Sequence, residues 1–380
     1  MTTPAELYRN AVDLNRFSNS VARRIVRTYN DLIVDAMERL AALDASPTPT
    51  QSARLRAILA QLKGSLDGWS GIATALSVRE LQGLVELQTK FVTKVLEGEL
   101  PDDLILQARS VQISPEFAQA VATIDPAAYN VVTLSDDLGA AVTGTPRPFR
   151  LDVGGGATIT LPNGAGLATS FNRLAAKQSE VFAKEVRNGL LLGESSDKIA
   201  RRLRRQLIAV PNNQIKAMVR TSVNQVANAA SQAVYTQNRD ITSKYRYIAT
   251  LDTRTSAICR ALDNQEFVYG EGPTPPQHFN CRSTTVPLID YKRLGIAPPK
   301  PGKRRSSGGL VPANQSYGQW LHNQSAEVKA DVLGPEKVRY FNRLARKYGP
   351  TKAIRRFVSE DGTELTLEQL QRRYPDGTSK

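Results

Sequence analysis

Two stretches concentrate the side chains that could do chemistry. "LDTRTSAIC" (251–259) supplies Asp252, Arg254, Thr255 and Cys259, and "PPQHFNCRS" (275–283) supplies His278, Cys281 and Arg282, with Asp263 between them. The chain has two cysteines and two histidines, so both thiols and one imidazole fall here. Thiolate, imidazole and carboxylate donors together suit zinc, which takes four such ligands in a tetrahedron. The spacing is incomplete for a zinc knuckle: three positions before Cys259 stands Ser256, and two after Cys281 stands Ser283. Cys259, His278 and Cys281 would therefore need Asp252 or Asp263 as a fourth ligand.

Two other readings compete with a metal. A Cys–His nucleophile pair is one; with Asp252, His278 and Cys281 at its centre the chain would be a metal-dependent hydrolase or a toxin-like enzyme. The other is structural. Cys259 and Cys281 pack as small apolar residues, His278 hydrogen-bonds its own loop, and Asp252 with Arg254 caps backbone groups or forms an ion pair. The residues favour the structural reading. The expectation is a protein that is not an enzyme and carries no cofactor, zinc being the one metal these side chains suit.

The elements that must position these residues follow from periodicity. Apolar residues recur at three- and four-residue steps over 5–43, which predicts one long helix. "DASPTPTQS" (44–52) breaks it. Further helices are expected over 52–66, 76–97, 102–110 and 114–123, so residues 1–142 read as a helical N-terminal domain. A Gly/Pro-rich stretch over 143–166 reads as a connector or hairpin. Its glycine triplet is no phosphate loop, because no Lys-Ser/Thr follows it. Helices return at 167–189, 190–207 and 212–238. "KYRYIATLD" (244–252) alternates and reads as a strand, with further strands at 265–270 and 283–289, the last an edge because of Pro287. These make 167–294 a core of helices followed by short strands. Residues 295–312 are dominated by Pro, Gly, Ser and basic residues and read as a basic linker. A helical C-terminal segment with a loose tail completes the chain over 313–380, with short helices at 317–322, 325–332, 335–348 and 351–357 and a last one capped by Thr366. The fold class is therefore mainly α with a small β-containing unit (α+β).

Charge adds a partner. The chain carries a formal +14. Residues 1–150 hold 15 Lys and Arg against 17 Asp and Glu, so the whole excess lies beyond them. Such asymmetry points to a polyanion, most often nucleic acid. The candidate phosphate contacts are Arg201, Arg202, Arg204 and Arg205 on one helix, Lys303, Arg304 and Arg305 in the linker, and Arg343, Arg346, Lys347, Lys352, Arg355 and Arg356 near the C-terminus. Contact through them would be non-specific. No groove-reading motif accompanies them, which argues against a sequence-specific DNA-binding protein. Two cysteines make no disulfide framework, and the first residues carry no signal-peptide pattern, so a reducing compartment is expected. No stretch approaches the roughly 20 apolar residues of a membrane helix.

In combination the motifs resemble a known family. A helix with "VRTSVNQVANAASQAVY" (219–235) is followed by "ATLDTRTSAICRALDNQEF" (249–267) and "PPQHFNCRSTTVPL" (275–288), then by "SYGQWLHNQSAEVKADVLGPEKVRYF" (316–341). This order resembles the Mu F-like minor head proteins of tailed bacteriophages. Asp252, Arg254, Thr255, Cys259, His278, Cys281, Arg282, Trp320 and Leu321 carry the signature. The family pattern often has cysteine where this chain has Ser256 and Ser283. The resemblance implies a virion component, made in the host cytoplasm and placed in the head interior or at the portal vertex. Its implied partners are the portal protein and/or the major capsid protein and double-stranded DNA contacted without sequence preference. It also implies no membrane in the assembled state, and fits a homo-oligomer around the portal. The near-neutral N-terminal helices become the expected docking surface.

Overall fold

The computed structural model describes residues 3–43, 49–98, 161–300, 302–360 and 362–375. The helices expected at 102–110 and 114–123, the boundary at 142–143 and most of the 143–166 connector lie outside them.

Residues Val21, Ile25, Tyr29, Ile33 and Met37 are buried at four-residue steps, the period of one helix face. They form the stripe of α1 (Thr3–Ala41). α2 (Pro49–Glu97) is a single helix of 49 residues, where the sequence predicts two. The predicted gap contains Gly68 and Gly71, each costing roughly 1 kcal/mol against alanine. Trp69 and Ala73 lie between and beside them, and both are buried. Trp69 sits edge-on to Tyr29 at 5.1 Å and to Phe171 at 5.8 Å. Packing of that stripe outweighs the local propensity. α3 (Leu167–Leu191) supplies Phe171 and packs along α2.

The helix expected to stop near 207 does not stop. α4 (Ser196–Arg204) continues through a π-helical turn (Arg205–Ala209) into α5 (Val210–Gln237). Pro211 explains the turn. It has no N–H to offer the carbonyl of Leu207, four residues back. The helix widens there, and the Tyr29 hydroxyl of α1 donates to that same carbonyl at 2.8 Å. α5 lies against both α1 and α2. Its Ala227, Ala229 and Ala230 are buried, which lets those helices approach.

A three-stranded antiparallel sheet follows, in the order β2 (Glu266–Val268), β1 (Thr242–Ile248), β3 (Thr284–Ile289). β3 is an edge, as Pro287 requires, and Pro287 lies opposite Tyr245. α6 (Ala257–Leu262) sits between β1 and β2 in the chain.

The stretch read as a linker is a structured part of the fold. β4 (Lys303–Ser306) and β5 (Gly309–Pro312) form a two-stranded hairpin, and Ser306 bridges to Leu251. Beyond it come α7 (Tyr317–His322), α8 (Ala326–Leu333), α9 (Pro335–Tyr348), α10 (Pro350–Arg355) and α11 (Leu367–Arg373). Ser316 and Thr366 close full capping boxes with Gln319 and Gln369, each satisfying helix N–H groups that would otherwise lack partners. The C-terminal helices enclose a core of Tyr317, Trp320, Leu321, Phe341, Leu344 and Phe357, and Leu251 from the β unit is buried in it. The chain is thus mainly α with a small β unit.

Candidate functional site

The chemistry-bearing residues fall into three adjoining groups around α6. The first is the turn after β1. Asp252 accepts from both terminal nitrogens of Arg282, at 2.5 and 2.8 Å. It also accepts from the Thr255 hydroxyl at 3.0 Å and from the Arg254 backbone N–H at 3.1 Å. The spacing D-x-R-T lets one carboxylate close its own turn while facing the second loop. Burial pushes the Asp252 carboxyl up, but the Arg282 hydrogen bonds and charge, with those of Thr255 and the backbone, hold it below its usual value. Arg254 itself is largely exposed, 3.9 Å from Asp252.

The sign of that shift fixes a pH dependence. A carboxyl depressed in the fold contributes stability above its unfolded pKa of about 3.9, and that contribution is lost as pH falls through the folded value. Asp252→Asn is expected to destabilise the protein by a constant amount above about pH 5, with the difference from wild type shrinking below about pH 4. Urea melts of both proteins across that range check it, and a difference independent of pH would count against the ion pair.

The second group is the thiol cluster. Cys259, on α6, and Cys281 are buried with Sγ atoms 3.8 Å apart. His278 Nε2 stands 3.3 Å from Cys259 Sγ. His278 Nδ1 donates to the carbonyl of Phe279 at 2.8 Å, which turns Nε2 inward. The Tyr247 hydroxyl lies 3.2 Å from Cys259 Sγ. The three residues offer ligand atoms all within 4.8 Å of one another. Ser256 and Ser283 flank the Cys259 sulfur. Burial drives the Cys259 thiol well above its usual range, and neighbouring Cys281 adds to this. Burial works the same way on Cys281, but hydrogen bonds from Cys259 and His278 overcome it and hold that thiol well below its usual range. The loop that delivers His278 is set by a cis Pro275–Pro276 bond. The two sequence candidates for a fourth ligand are not there. Asp252 is committed to Arg282, and Asp263 to the third group.

That third group escapes the sequence reading. Asp263 and Arg304 form an ion pair with side-chain exposures of 0% and 2%. Strand alternation explains how a basic run can bury one member: within β4, Lys303 and Arg305 are exposed and Arg304 turns inward. Arg304 also donates to the carbonyls of Ala249 and Gln315. Asp263 in turn accepts the backbone N–H groups of Ala249 at 2.7 Å and Tyr317 at 2.6 Å. One buried carboxylate therefore ties together β1, the hairpin and the start of α7. The only signal in the sequence was Asp263 itself, an acid immediately after an apolar helix. Arg304 is removed from the set of phosphate contacts.

The other basic candidates divide by environment. Arg202 is paired with Glu185 and Glu194, and Arg201 with Asp197. Arg343 donates to the Tyr374 carbonyl and lies over the Tyr340 ring. Arg355 is half-buried, and burial lowers its pKa. Arg356 stacks on Tyr348 at 4.0 Å and bonds the Lys352 carbonyl. Arg204, Lys303, Arg305, Arg346, Lys347 and Lys352 are exposed. The Arg205 side chain lies outside the described part. Two adjoining clefts between α1 and the β unit, of about 440 and 360 Å³, add Arg220 and Arg254 to Arg305 as lining cations, which sequence clustering does not reveal.

Among the described residues no helix is long and apolar enough to cross a membrane. Neither the curated proteins nor the solved structures contain a match to the chain. Residues 180–286 match the family model described as Phage Mu protein F like protein. That span runs from α3 through β3 and includes all of Asp252, Arg254, Thr255, Cys259, His278, Cys281 and Arg282, while Trp320 and Leu321 lie beyond it. Residues 180–286 are thus similar to the Phage Mu protein F-like family, a similarity that points to phage head morphogenesis.

Proposed function

We propose that this protein is a non-enzymatic minor component of a phage head, held at the portal or against the major capsid protein and touching packaged double-stranded DNA without sequence preference. The observation that carries the proposal is the family match over residues 180–286. The local geometry supports it. The polar groups that would begin an enzyme are engaged with one another: both Asp252 oxygens meet Arg282, and Asp263 is filled by Arg304 and two backbone N–H groups. A metal-dependent hydrolase or toxin-like activity centred on Asp252, His278 and Cys281 would first have to dismantle the Asp252–Arg282 pair.

DNA contact is assigned to exposed cations: Arg204, Lys303, Arg305, Arg346 and Lys347, joined by Arg220 and Arg254 in the clefts beside α1. Point charges of this kind read phosphate and not sequence. The long amphipathic helices α1 and α2 are the proposed docking elements for the virion partner, and a ring of copies around the portal would place the basic part inward.

Binding of the full chain to duplex DNA tests the DNA contact. If six or more phosphates are neutralised, affinity is expected to fall by about 10³-fold or more between 50 and 200 mM salt, with no preference between unrelated sequences. Replacing Arg254 and Arg305 together by alanine is expected to reduce the slope of log K against log salt by about 2. A flat salt response would overturn the DNA part of the proposal.

A further inference from the structure

We propose that Cys259, His278 and Cys281 form a three-ligand zinc site. In a tetrahedral zinc site with Zn–S near 2.3 Å and Zn–N near 2.0 Å, neighbouring ligand atoms stand about 3.8 Å apart for S and S and about 3.5 Å for S and N. Cys259 and Cys281 Sγ are 3.8 Å apart, and Cys259 Sγ is 3.3 Å from His278 Nε2. Two edges of such a tetrahedron are thus already in place, and all three ligand atoms lie within 4.8 Å of one another. The imidazole is oriented for the task. Its Nδ1–H is held by the Phe279 carbonyl at 2.8 Å, the outer hydrogen bond that fixes the ring of a metal-binding histidine and leaves Nε2 as the donor atom.

A second observation points the same way. Ser256 is the N-cap residue of α6, where a serine hydroxyl ordinarily accepts from the helix backbone. It makes no such bond. Its Oγ is buried and turned to the Cys259 sulfur, on the side of α6 that carries Cys259 three residues later. The hydroxyl that forgoes its helix cap therefore stands beside the thiol and next to the open fourth position of the ion. That position would take water or the Ser256 oxygen. Cys281 also lines the cleft beside α1, together with Asn280 and Ser283, which gives an ion a way in. Binding is a proton exchange and not a redox step: Zn²⁺ enters, thiol protons leave to solvent, and two thiolates with one neutral imidazole remain around it. The site is a fastening between α6 and the His278 loop and does not depend on the head-protein reading.

The test uses the full chain purified under reductant, zinc-free and zinc-loaded. One zinc per chain is expected to survive desalting, and Co²⁺ in its place is expected to show tetrahedral and thiolate charge-transfer absorption. Cys281→Ser is expected to abolish both. Because Cys281→Ser also disturbs a buried position, Ser256→Cys provides the independent arm. It would complete a Cys-x-x-Cys pair and is expected to tighten zinc binding at least about tenfold, in competition with a chromophoric chelator, with the zinc-free melting temperature unchanged. Zinc retention no better than in a protein with both thiols alkylated, or a Ser256→Cys affinity equal to wild type, would overturn the site.

Discussion

Arg304→Ala is expected to lower the free energy of unfolding by about 3–5 kcal/mol, the cost of removing one partner from a buried ion pair. The reason lies with what remains. Asp263 has no exposed side-chain surface and would be left as a buried carboxylate facing two backbone N–H groups. The Ala249 and Gln315 carbonyls would also lose a donor. Arg304→Lys is expected to recover only part of the loss, since one ammonium cannot repeat the planar fork that meets both Asp263 oxygens and two carbonyls. Lys303→Ala and Arg305→Ala, one residue either side and exposed, should stay within about 0.5 kcal/mol of wild type. Chemical denaturation of the four variants checks the pattern. Three equal, small effects would mean that 302–312 is the solvated linker its composition suggests.

The second large effect is expected at Trp320. Trp320→Ala should cost about 3–5 kcal/mol, the range for truncating a large aromatic in a core. Trp320 is 2% exposed and packs at 5.1 Å from the Tyr317 ring. The same core buries Leu251, and Tyr317 donates its hydroxyl to the Asp252 carbonyl at 2.8 Å. Arg260 of α6 adds bonds to the Val332 carbonyl and to Glu364. The C-terminal helices and the β unit therefore share a core, and the loss should appear in probes of both. Gly318 makes the fit visible from another side: a Cβ there would lie 2.2 Å from the Pro350 carbonyl oxygen, so α7 and α10 touch backbone to backbone. If Trp320→Ala loosened only α7–α11 in hydrogen exchange, leaving 242–290 fully protected, the shared core would be wrong.

These two sites also show where sequence reading stops. Local patterns carried far. The four-residue stripe of α1, the Thr366 cap, the alternation of β1 and the edge position forced by Pro287 are all written in neighbouring residues. The convergence of Asp252 with Arg282, and of Cys259 with His278 and Cys281, followed from two short motifs whose types complement each other. Arg304 could not be read this way. Its neighbours are polar, basic and turn-forming, and its partner lies 41 residues away, so composition spoke for solvent while a distant carboxylate decided otherwise. The π-turn is similar: Pro211 announces a break, and only Tyr29, from a helix 178 residues earlier, makes continuation favourable. α2 ran through its glycines because Trp69 found two aromatic partners on other helices.

The claim that this chain is a head component is tested most directly by the protein content of purified, DNA-filled heads of the phage that encodes it. Quantitative mass spectrometry is expected to find the chain in low copy, far below the major capsid protein, and to find it depleted when its gene is silenced, together with a fall in infectious particles. Heads that lack the chain altogether, assembled and infectious at normal yield, would contradict the account.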